Sequence, residues 1–186
     1  MEIENIDHQI VHDNKVFKKY ISHLQIESRL NELSDELNDY YINKSPLIIG
    51  ILNGCIYFMM DLLKKFNFKY QIDFIKAGSY KGTKRLNLNI ESISDKKYYN
   101  NDILIIEDII DSGQTLNKVC SKLANNNPKD IKIITLLNKN TKKRKTTFDI
   151  DWVAFNIIDK YVIGYGLDYN NLFRYLKDIY IENEEK

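Results

Sequence analysis

Apolar side chains follow two patterns along the first half of the chain. In residues 15–42 they recur every three or four positions with polar residues between them, which predicts an amphipathic helical region. Residues 47–52 form a continuous apolar run that stops at Asn53 and Gly54, and helical spacing resumes over residues 57–64. This second pattern predicts a strand, a tight turn and a helix.

The strand and helix pattern returns in the second half. An apolar run at residues 103–106 is followed by an acidic loop and by helical spacing from Leu116 onward. Residues 131–137 and 152–158 are further apolar runs, and the polar tract at residues 138–147 is predicted to be a loop. Continuous apolar strands that alternate with helices are typical of a parallel sheet covered on both faces. We therefore predict an α/β fold whose ligands bind at the carboxyl ends of the strands.

Length and charge restrict the classes of function open to the chain. The 186 residues suit one domain, and no repeat or flexible linker marks an internal boundary. The 27 basic and 26 acidic residues leave a net charge of +1, so no global positive field would attract nucleic acid or anionic lipid. We expect neither a nucleic-acid partner nor a membrane, and any phosphate must bind at a local site.

The termini and the rarer side chains indicate a cytoplasmic protein without a metal cluster of its own. The N-terminus lacks the pattern of a signal peptide, and no apolar run approaches the length of a membrane span. Cys55 and Cys120 each lie in an apolar stretch, so we expect two buried, reduced thiols. His8, His12 and His23 lack the spacing of zinc ligands, so we expect them at the surface.

The segment after residues 103–106 carries the strongest chemical signal. The first turn of a helix leaves backbone N–H groups unpaired and positively polarised, so a phosphate can bind there. Gly113 would let the backbone approach a phosphate closely, and the hydroxyls of Ser112 and Thr115 can donate hydrogen bonds. The segment is therefore a candidate cradle for a monophosphate.

Two carboxylates stand directly before this cradle. Glu107 and Asp108 would repel a phosphate unless they bound ribose hydroxyls or a metal ion, so the whole segment fits a sugar phosphate. The alternative is an ordinary turn at residues 111–113, with Ser112 or Thr115 as a helix cap. The segment matches neither the glycine pattern of dinucleotide-binding proteins nor the Gly-Lys-Ser/Thr ending of a nucleoside triphosphate loop.

Two stretches carry a resemblance to a known family. Residues 103–116, ILIIEDIIDSGQTL, resemble the phosphoribosyl pyrophosphate (PRPP) motif of type I phosphoribosyltransferases. Residues 159–169, DKYVIGYGLDY, followed by Phe173 and Arg174, resemble the C-terminal signature of the hypoxanthine-guanine phosphoribosyltransferases. Because the two stretches are independent and occur in the family's order, together they are far more specific than either alone.

The resemblance extends from about Phe17 to the C-terminus and implies a fold. This is the type I phosphoribosyltransferase fold, an α/β fold with a mainly parallel central sheet flanked by helices. We expect residues 1–186 to form a single phosphoribosyltransferase domain, with the core at about residues 40–158. The N-terminal and C-terminal segments are expected to build a small hood over that core.

The resemblance also implies roles for the acidic segment. Glu107 and Asp108 would contact the ribose hydroxyls of PRPP. Five residues would hold its 5′-phosphate, namely Asp111, Ser112, Gly113, Gln114 and Thr115. Asp111 matches the family's general base at N7 of the purine, a role that needs a carboxylate within hydrogen-bonding reach. A helix cap alone is the alternative role for Asp111, and position 114 often carries Lys in the family.

Residues farther along the chain are implied to bind the base. Lys139 matches a lysine that donates to O6 of the purine, which would favour oxopurines over adenine because an ammonium cannot accept from an amino group. A solvated lysine beside the basic residues 142–145 is the alternative. Tyr161 is implied to stack on the base, Val162 to bond its edge through the backbone, and Lys160 to lie at the same pocket. The alternative for Tyr161 is an ordinary core position.

Leu52, Asn53 and Gly54 correspond to the family's pyrophosphate-binding loop, which includes a non-proline cis peptide. Many relatives carry Lys in place of Asn53, so one positive charge is missing from this loop. Arg174 corresponds to a second pyrophosphate contact, and Asp168 aligns with a magnesium ligand at the border of the purine pocket. A structural salt bridge between Asp168 and Arg174 is the alternative.

The implied cofactor is Mg²⁺, for which Glu107 and Asp108 are candidate contacts together with Asp168. Ser79 and Tyr80 match a mobile loop that closes over the site and excludes water.

The resemblance implies a purine salvage enzyme. It would transfer the 5-phosphoribosyl group from PRPP to hypoxanthine, guanine or both, giving inosinate or guanylate and pyrophosphate with the help of Mg²⁺. A xanthine-preferring enzyme is one alternative, because the contacts at C2 of the base are not readable from the sequence. A regulatory protein that binds PRPP or a nucleotide on the same fold is the other. The family further implies a homodimer or homotetramer.

Overall fold

The computed structural model describes residues 4–6, 9–76 and 97–183, which form two sheets and three helices. The larger sheet contains β4 (Leu47–Leu52), β5 (Gln71–Lys76), β6 (Asp102–Ile110), β7 (Asp130–Asn140) and β8 (Trp152–Ile158). The smaller sheet contains β1 (Glu4–Ile6), β2 (Gln9–His12), β3 (Lys15–Ile21), β9 (Val162–Ile163) and β10 (Ile179–Asn183). The helices are α1 (His23–Tyr40), α2 (Ile56–Leu63) and α3 (Gln114–Ala124).

The larger sheet is parallel throughout and has the strand order β5-β4-β6-β7-β8. Apolar side chains of α1 and α2 pack on one of its faces, and those of α3 pack on the other. This arrangement confirms the predicted parallel sheet flanked by helices. Because the strands are parallel, their carboxyl ends all lie at one edge of the sheet, the edge where ligands bind in such folds.

The central strand β6 shows why the strands lack polar alternation. Ile103 and Ile105 pack in the cluster that contains α3, whereas Leu104 and Ile106 pack in the cluster of α1 and α2. All four side chains are 0% exposed. Successive side chains of a strand point to opposite faces, so a strand covered on both faces is apolar at every position.

The helix predicted over residues 15–42 begins later than expected. Residues 15–21 form β3, which pairs with β10 from the other end of the chain and buries Phe17 and Ile21. The helix α1 starts after Ser22, whose hydroxyl accepts a hydrogen bond from the backbone N–H of Gln25 in a capping box. A tertiary pairing that local periodicity cannot reveal therefore sets this boundary.

Two predicted loops are shorter than expected at the carboxyl edge. Residues 107–110, predicted as an acidic loop, continue β6, and residues 138–140 of the predicted polar loop continue β7. The two strands pair up to Ile110 and Asn138, so backbone hydrogen bonds hold both segments in the sheet despite their polar side chains. The acid pair and the lysine at position 139 are thereby placed on strands.

The smaller sheet has the order β1-β2-β3-β10-β9 and is antiparallel. It joins the N-terminal strands to the two strands that follow the larger sheet in the chain. The N-terminal segment, which carries no recognisable motif, supplies β1 and β2. Phe17, Ile163 and Phe173 are each 0% exposed in the core beneath this sheet.

Cys55 and Cys120 are both free and buried, as predicted. Burial raises the pKa of each thiol to about 12, so neither is a thiolate at neutral pH. In the described part of the chain, no helix is long and apolar enough to cross a lipid bilayer.

The predicted surface position is wrong for one of the histidines. His12 is 8% exposed because its ring packs edge-on against Tyr169 and Phe173. The side chain of His23 is 54% exposed, and His8 lies outside the described residues.

Asp178 connects the segment before β10 to the start of α1. Its carboxylate accepts a hydrogen bond from the backbone N–H of His23 at 2.7 Å and lies 2.6 Å from the ammonium of Lys19. Burial by itself favours the neutral acid, but these donors outweigh it and hold the pKa of Asp178 below its ordinary value. The ionised carboxylate therefore stabilises the folded state.

Replacing Asp178 by Asn should lower the free energy of unfolding by about 2 kcal/mol at pH 7, because charge-assisted hydrogen bonds are lost. An unfolded Asp titrates near pH ~3.9 and the native group titrates lower. The difference between wild type and variant should therefore be complete above about pH 5 and shrink as the pH falls below about 4. Urea denaturation over this pH range measures the difference.

Asp35→Asn is the matched control, because Asp35 lies on the exposed side of α1 and its loss should change stability little at pH 7. A stability difference for Asp178→Asn that stayed constant down to pH ~3 would contradict the role of the charge.

Candidate active site

Three adjoining clefts surround the carboxyl end of β6. Each is named here after a residue that lines only that cleft: the Arg174 cleft of about 400 Å³, the Gly113 cleft of about 90 Å³ and the Tyr161 cleft of about 210 Å³. Ile109 lines all three, so they form one continuous site. The site lies where the parallel sheet places its ligands.

The Gly113 cleft is built on the first turn of α3. Residues 112–116 line it, and the N–H groups at the start of the helix have no intrahelical acceptors. Gly113 has a φ of 75°, a left-handed conformation that favours glycine. A Cβ at this position would lie 2.3 Å from Cγ2 of Thr146, so the turn packs directly against the loop after β7. Such a turn can hold a phosphate through backbone N–H groups and hydroxyls.

The buried Glu107 and the partly buried Asp108 lie between the clefts. Glu107 is 7% exposed, and its Oε2 atom is buried without a hydrogen-bond partner among the described residues. Burial, and then the adjacent Asp108 carboxylate, raise the pKa of Glu107 well above its ordinary value. Burial also raises the pKa of Asp108 to about 6, although backbone N–H groups and Arg174 favour the charged form. Acids buried in this way can bind hydroxyl groups or a cation.

Close backbone contacts form the floor of the Arg174 cleft. The Leu52–Asn53 peptide bond is cis, as the family resemblance implied. A Cβ at Gly54 would lie 1.5 Å from Oδ2 of Asp108, so the turn after β4 touches the acid pair. Gly166, with a φ of 98°, packs on the same turn, and a Cβ there would lie 2.0 Å from the carbonyl oxygen of Gly54. Glycine is therefore required at both positions.

Two cations of the described residues line this cleft. The Arg174 guanidinium donates to the carbonyl oxygen of Gly166 at 2.5 Å and lies 2.5 Å from Oδ1 of Asp168. The salt bridge between Asp168 and Arg174, which was the alternative interpretation of these two residues, is thus formed. Lys76, the last residue of β5, also lines the cleft. The side of the site where Asn53 supplies no charge therefore still contains two positive side chains.

Lys139 and Asp111 face each other in the Tyr161 cleft. The ammonium of Lys139 lies 3.5 Å from Oδ2 of Asp111, and the lysine side chain is only 10% exposed. Lys139 is therefore not the solvated lysine of the alternative interpretation. Oδ1 of Asp111 is buried without a hydrogen-bond partner among the described residues. A buried donor and a buried acceptor thus lie side by side in this cleft.

The wall of the same cleft is formed by β9 and the residue before it. Tyr161 is 43% exposed, and its hydroxyl donates to the carbonyl oxygen of Asp168 at 2.8 Å, so the ring is not a core side chain. The N–H of Glu182 donates to the carbonyl of Tyr161, which makes Val162 and Ile181 a non-hydrogen-bonded pair. In such a pair the N–H and C=O of Val162 point away from β10, and because β9 is an edge strand, no strand of the described chain pairs with them.

The structure brings nearly all predicted site residues together. Of those in the described part of the chain, every one except Lys160 lines at least one of the three clefts. Ser79 and Tyr80 lie outside the described residues. Lys76 and Asn171 line the Arg174 cleft but were not predicted. The position of Lys76 at a strand end is a signal that could have identified it, whereas nothing local marks Asn171.

The acids fit a divalent cation that binds together with a substrate. Glu107, Asp108 and Asp168 all line the Arg174 cleft, and hard carboxylate oxygens are the donors that Mg²⁺ prefers. Within the described residues, no group of three or more potential ligands could hold a metal ion by itself. Mg²⁺ typically uses one or two carboxylates together with substrate phosphates, and the unpaired oxygen of Glu107 is consistent with that mode.

Residues 18–170 match the family model of the phosphoribosyl transferase domain. A hypoxanthine-guanine-xanthine phosphoribosyltransferase of Tritrichomonas foetus is 36% identical over 160 residues, which cover 86% of this chain and 87% of the relative. A hypoxanthine-guanine phosphoribosyltransferase of Bacillus subtilis is 39% identical over 161 residues, 86% of this chain and 89% of the relative. A solved hypoxanthine phosphoribosyltransferase of Staphylococcus aureus has a TM-score of 0.80 and 33% identity, covering 89% of this chain and 91% of the other.

The fold and these matches define the class of the protein: the chain belongs to the phosphoribosyltransferase family. Within that family it belongs with the hypoxanthine-guanine phosphoribosyltransferases, which are pentosyltransferases. The family resemblance inferred from residues 103–116 and 159–174 is thereby confirmed.

Replacing Gly54 by Ala should lower the free energy of unfolding by about 2 kcal/mol, because the new methyl group would collide with the Asp108 carboxylate. In an Asp108→Ala background the carboxylate is absent, so the same glycine substitution should cost much less. Urea denaturation of the four proteins of this cycle gives both costs. Equal costs in the two backgrounds would contradict the contact between Gly54 and Asp108.

Proposed function

We propose that the chain transfers the 5-phosphoribosyl group of PRPP to hypoxanthine or guanine, giving inosinate or guanylate and pyrophosphate in purine salvage. The observation that carries this proposal is the Tyr161 cleft, where the buried Lys139 ammonium lies 3.5 Å from Asp111 beside an exposed aromatic ring. In a planar base with a ring N–H and a neighbouring oxo group, the oxo oxygen can accept a hydrogen bond from Lys139 and the ring N–H can donate one to Asp111.

PRPP is assigned to the two other clefts. The 5′-phosphate would bind residues 111–115, where the turn before α3 offers backbone N–H groups and two hydroxyls. The ribose hydroxyls would bind Glu107 and Asp108. The unpaired Oε2 atom of Glu107 supports this assignment, because a hydroxyl would give that buried oxygen the donor that it lacks.

The pyrophosphate group is assigned to the Arg174 cleft. Arg174 and Lys76 would contact its oxygens, and the backbone of residues 52–54 would hold it from the side of the sheet. Asp168, with Glu107 and Asp108 close by, would hold Mg²⁺ there. When bound, Mg²⁺ would offset the negative charge that develops on the leaving pyrophosphate.

Asp111 is proposed as the general base of the reaction. A ring nitrogen of the purine forms a bond to C1 of the ribose while the bond between C1 and the pyrophosphate oxygen breaks, and pyrophosphate leaves with the electron pair. The proton on N7 passes to the Asp111 carboxylate. Oδ1 of Asp111 has no hydrogen-bond partner among the described residues, which supports this role because no protein donor at that oxygen competes with the N7 proton.

Lys139 is proposed to select 6-oxopurines by donating to O6 of the base. Its burial makes the choice strong, because adenine would place an amino donor, and not an oxygen acceptor, opposite the buried ammonium. Tyr161 would stack on the base, and the outward-pointing backbone of Val162 would bond its edge. Lys160 is kept as a proposed contact although it lines none of the three clefts.

A xanthine-using enzyme is the second candidate. The observation that favours it is the similarity to the Tritrichomonas foetus enzyme, whose name includes xanthine, at 36% identity. The choice among the three bases depends on contacts at C2, next to Val162 and Asp168 in the Tyr161 cleft.

The whole chain is proposed to act as one domain and to assemble with copies of itself. Residues 1–186 would act as a single cytoplasmic domain. A homodimer or homotetramer is supported by apolar side chains exposed on α2 and the edge strand β5, where Met60 is 45% and Phe74 is 44% exposed.

Nucleotide formation from PRPP, Mg²⁺ and a single base tests the function. We expect turnover with hypoxanthine and guanine and none with adenine. Turnover of xanthine above that of the other bases would favour the second candidate. If PRPP bound but no base were converted, the enzyme proposal would fail and a regulatory role for the same site would replace it.

The Asp111→Asn variant tests the proposed general base in the same assay. Its turnover should fall by about 100-fold or more, because the amide cannot accept the N7 proton, while PRPP should still bind. Asp149→Asn, which changes an exposed acid outside the clefts, is the matched control and should leave turnover unchanged. Wild-type turnover by Asp111→Asn would exclude Asp111 as the base.

A further inference from the structure

The parallel pairing of β7 and β8 brings another acid to the buried lysine. Asn140 lies opposite Ile158 in this register, so Thr141 and Asp159 follow the two strands side by side. The hydroxyl of Thr141 donates to Oδ2 of Asp159 at 2.8 Å. The other carboxylate oxygen, Oδ1, lies 3.7 Å from the ammonium of Lys139.

Lys139 is therefore held between two carboxylates. Its ammonium lies 3.5 Å from Asp111 and 3.7 Å from Asp159. Both distances exceed the usual N–H···O range of about 2.7–3.2 Å, so neither acid has formed a normal hydrogen bond with the lysine. Asp159 and Asp111 therefore both attract the ammonium, at similar distances.

The carboxylate of Asp159 is fixed in its charged form. The hydrogen bond from Thr141, followed by the charges of Lys143 and Lys139, holds the pKa of Asp159 below its ordinary value. The loop that carries Thr141 is itself tethered to the site. The Arg144 guanidinium donates to the carbonyl oxygen of Lys139 at 3.3 Å.

A direct ion pair between Lys139 and Asp111 would interfere with the proposed chemistry. The lysine N–H groups must reach O6 of the base, and the Asp111 oxygens must accept the proton from N7. If the two side chains bonded to each other, the arriving base would have to break that pair first. Asp159 lines none of the three clefts, and Lys139 is the residue of the Tyr161 cleft with which it forms an ion pair.

We propose that Asp159 is a positioning residue that holds Lys139 away from Asp111, so that the lysine can recognise the 6-oxo group and Asp111 can accept the N7 proton. This inference rests on the proposed function. For this role the Asp159 side chain must be negatively charged and must have the length that places its carboxylate near the Lys139 ammonium. Asn removes the charge at nearly constant shape, whereas Glu keeps it.

Steady-state kinetics and calorimetry of Asp159→Asn test the inference. The KM for hypoxanthine should rise about fivefold, the size expected when a half-exposed ion pair is lost. The Kd for PRPP measured without base should not change, because Asp159 lines neither of the clefts assigned to PRPP. Asp159→Glu should recover part of the loss, and Lys142→Gln, which removes an exposed lysine of the same loop, should behave like wild type.

A double-mutant cycle with Lys139→Gln separates positioning from a structural effect. In that background Asp159→Asn should change the KM for hypoxanthine by less than about twofold, because the residue through which it acts is gone. A fivefold effect that persisted, or an equal loss of PRPP affinity, would overturn the inference. So would an unchanged KM in Asp159→Asn while wild type is active, and that result would leave the proposed function standing. Wild type that made no nucleotide would overturn both.

Discussion

The burial of β6 on both faces is the constraint on which the rest of the structure depends. The strand is apolar as far as Ile106 because helices cover both sides of the sheet, and it then continues as strand through the acid pair. Glu107 and Asp108 are therefore carried into a region where water is largely excluded. The pairing with β4 ends at Ile106, and the pairing with β7 continues through Ile110 and holds the backbone of the acid pair in the sheet.

The neighbours of β6 complete the site through their register. Gly50 of β4 pairs with Ile106, so the turn that follows β4 ends against the Asp108 carboxylate at Gly54. On the other side, Ile110 pairs with Asn138, which places Lys139 beside Asp111. The three clefts are thus consequences of where parallel strands end. A substrate that supplies a hydroxyl or a cation would recover the free energy that the buried, unpaired oxygen of Glu107 costs the unbound protein.

Much of this arrangement could be predicted from the sequence because the signals are local. The apolar runs identified β4, β7 and β8, and the acidic segment with Gly113 identified the candidate phosphate cradle. The prediction failed at residues 15–21, where pairing with β10 decides the structure, and the position of His12 was missed because its ring packs against Tyr169 and Phe173. Asp159 shows the same limit, since its relation to Lys139 depends on the register of two strands.

The most direct test of the central claim is a crystal structure of the protein with inosinate, pyrophosphate and Mg²⁺. The account predicts the base in the Tyr161 cleft, with N7 within hydrogen-bonding distance of Asp111 and O6 within reach of the Lys139 ammonium, at about 2.7–3.2 Å in each case. The 5′-phosphate should lie on the first turn of α3. A base bound with O6 turned away from Lys139, or a nucleotide bound outside the three clefts, would contradict the account.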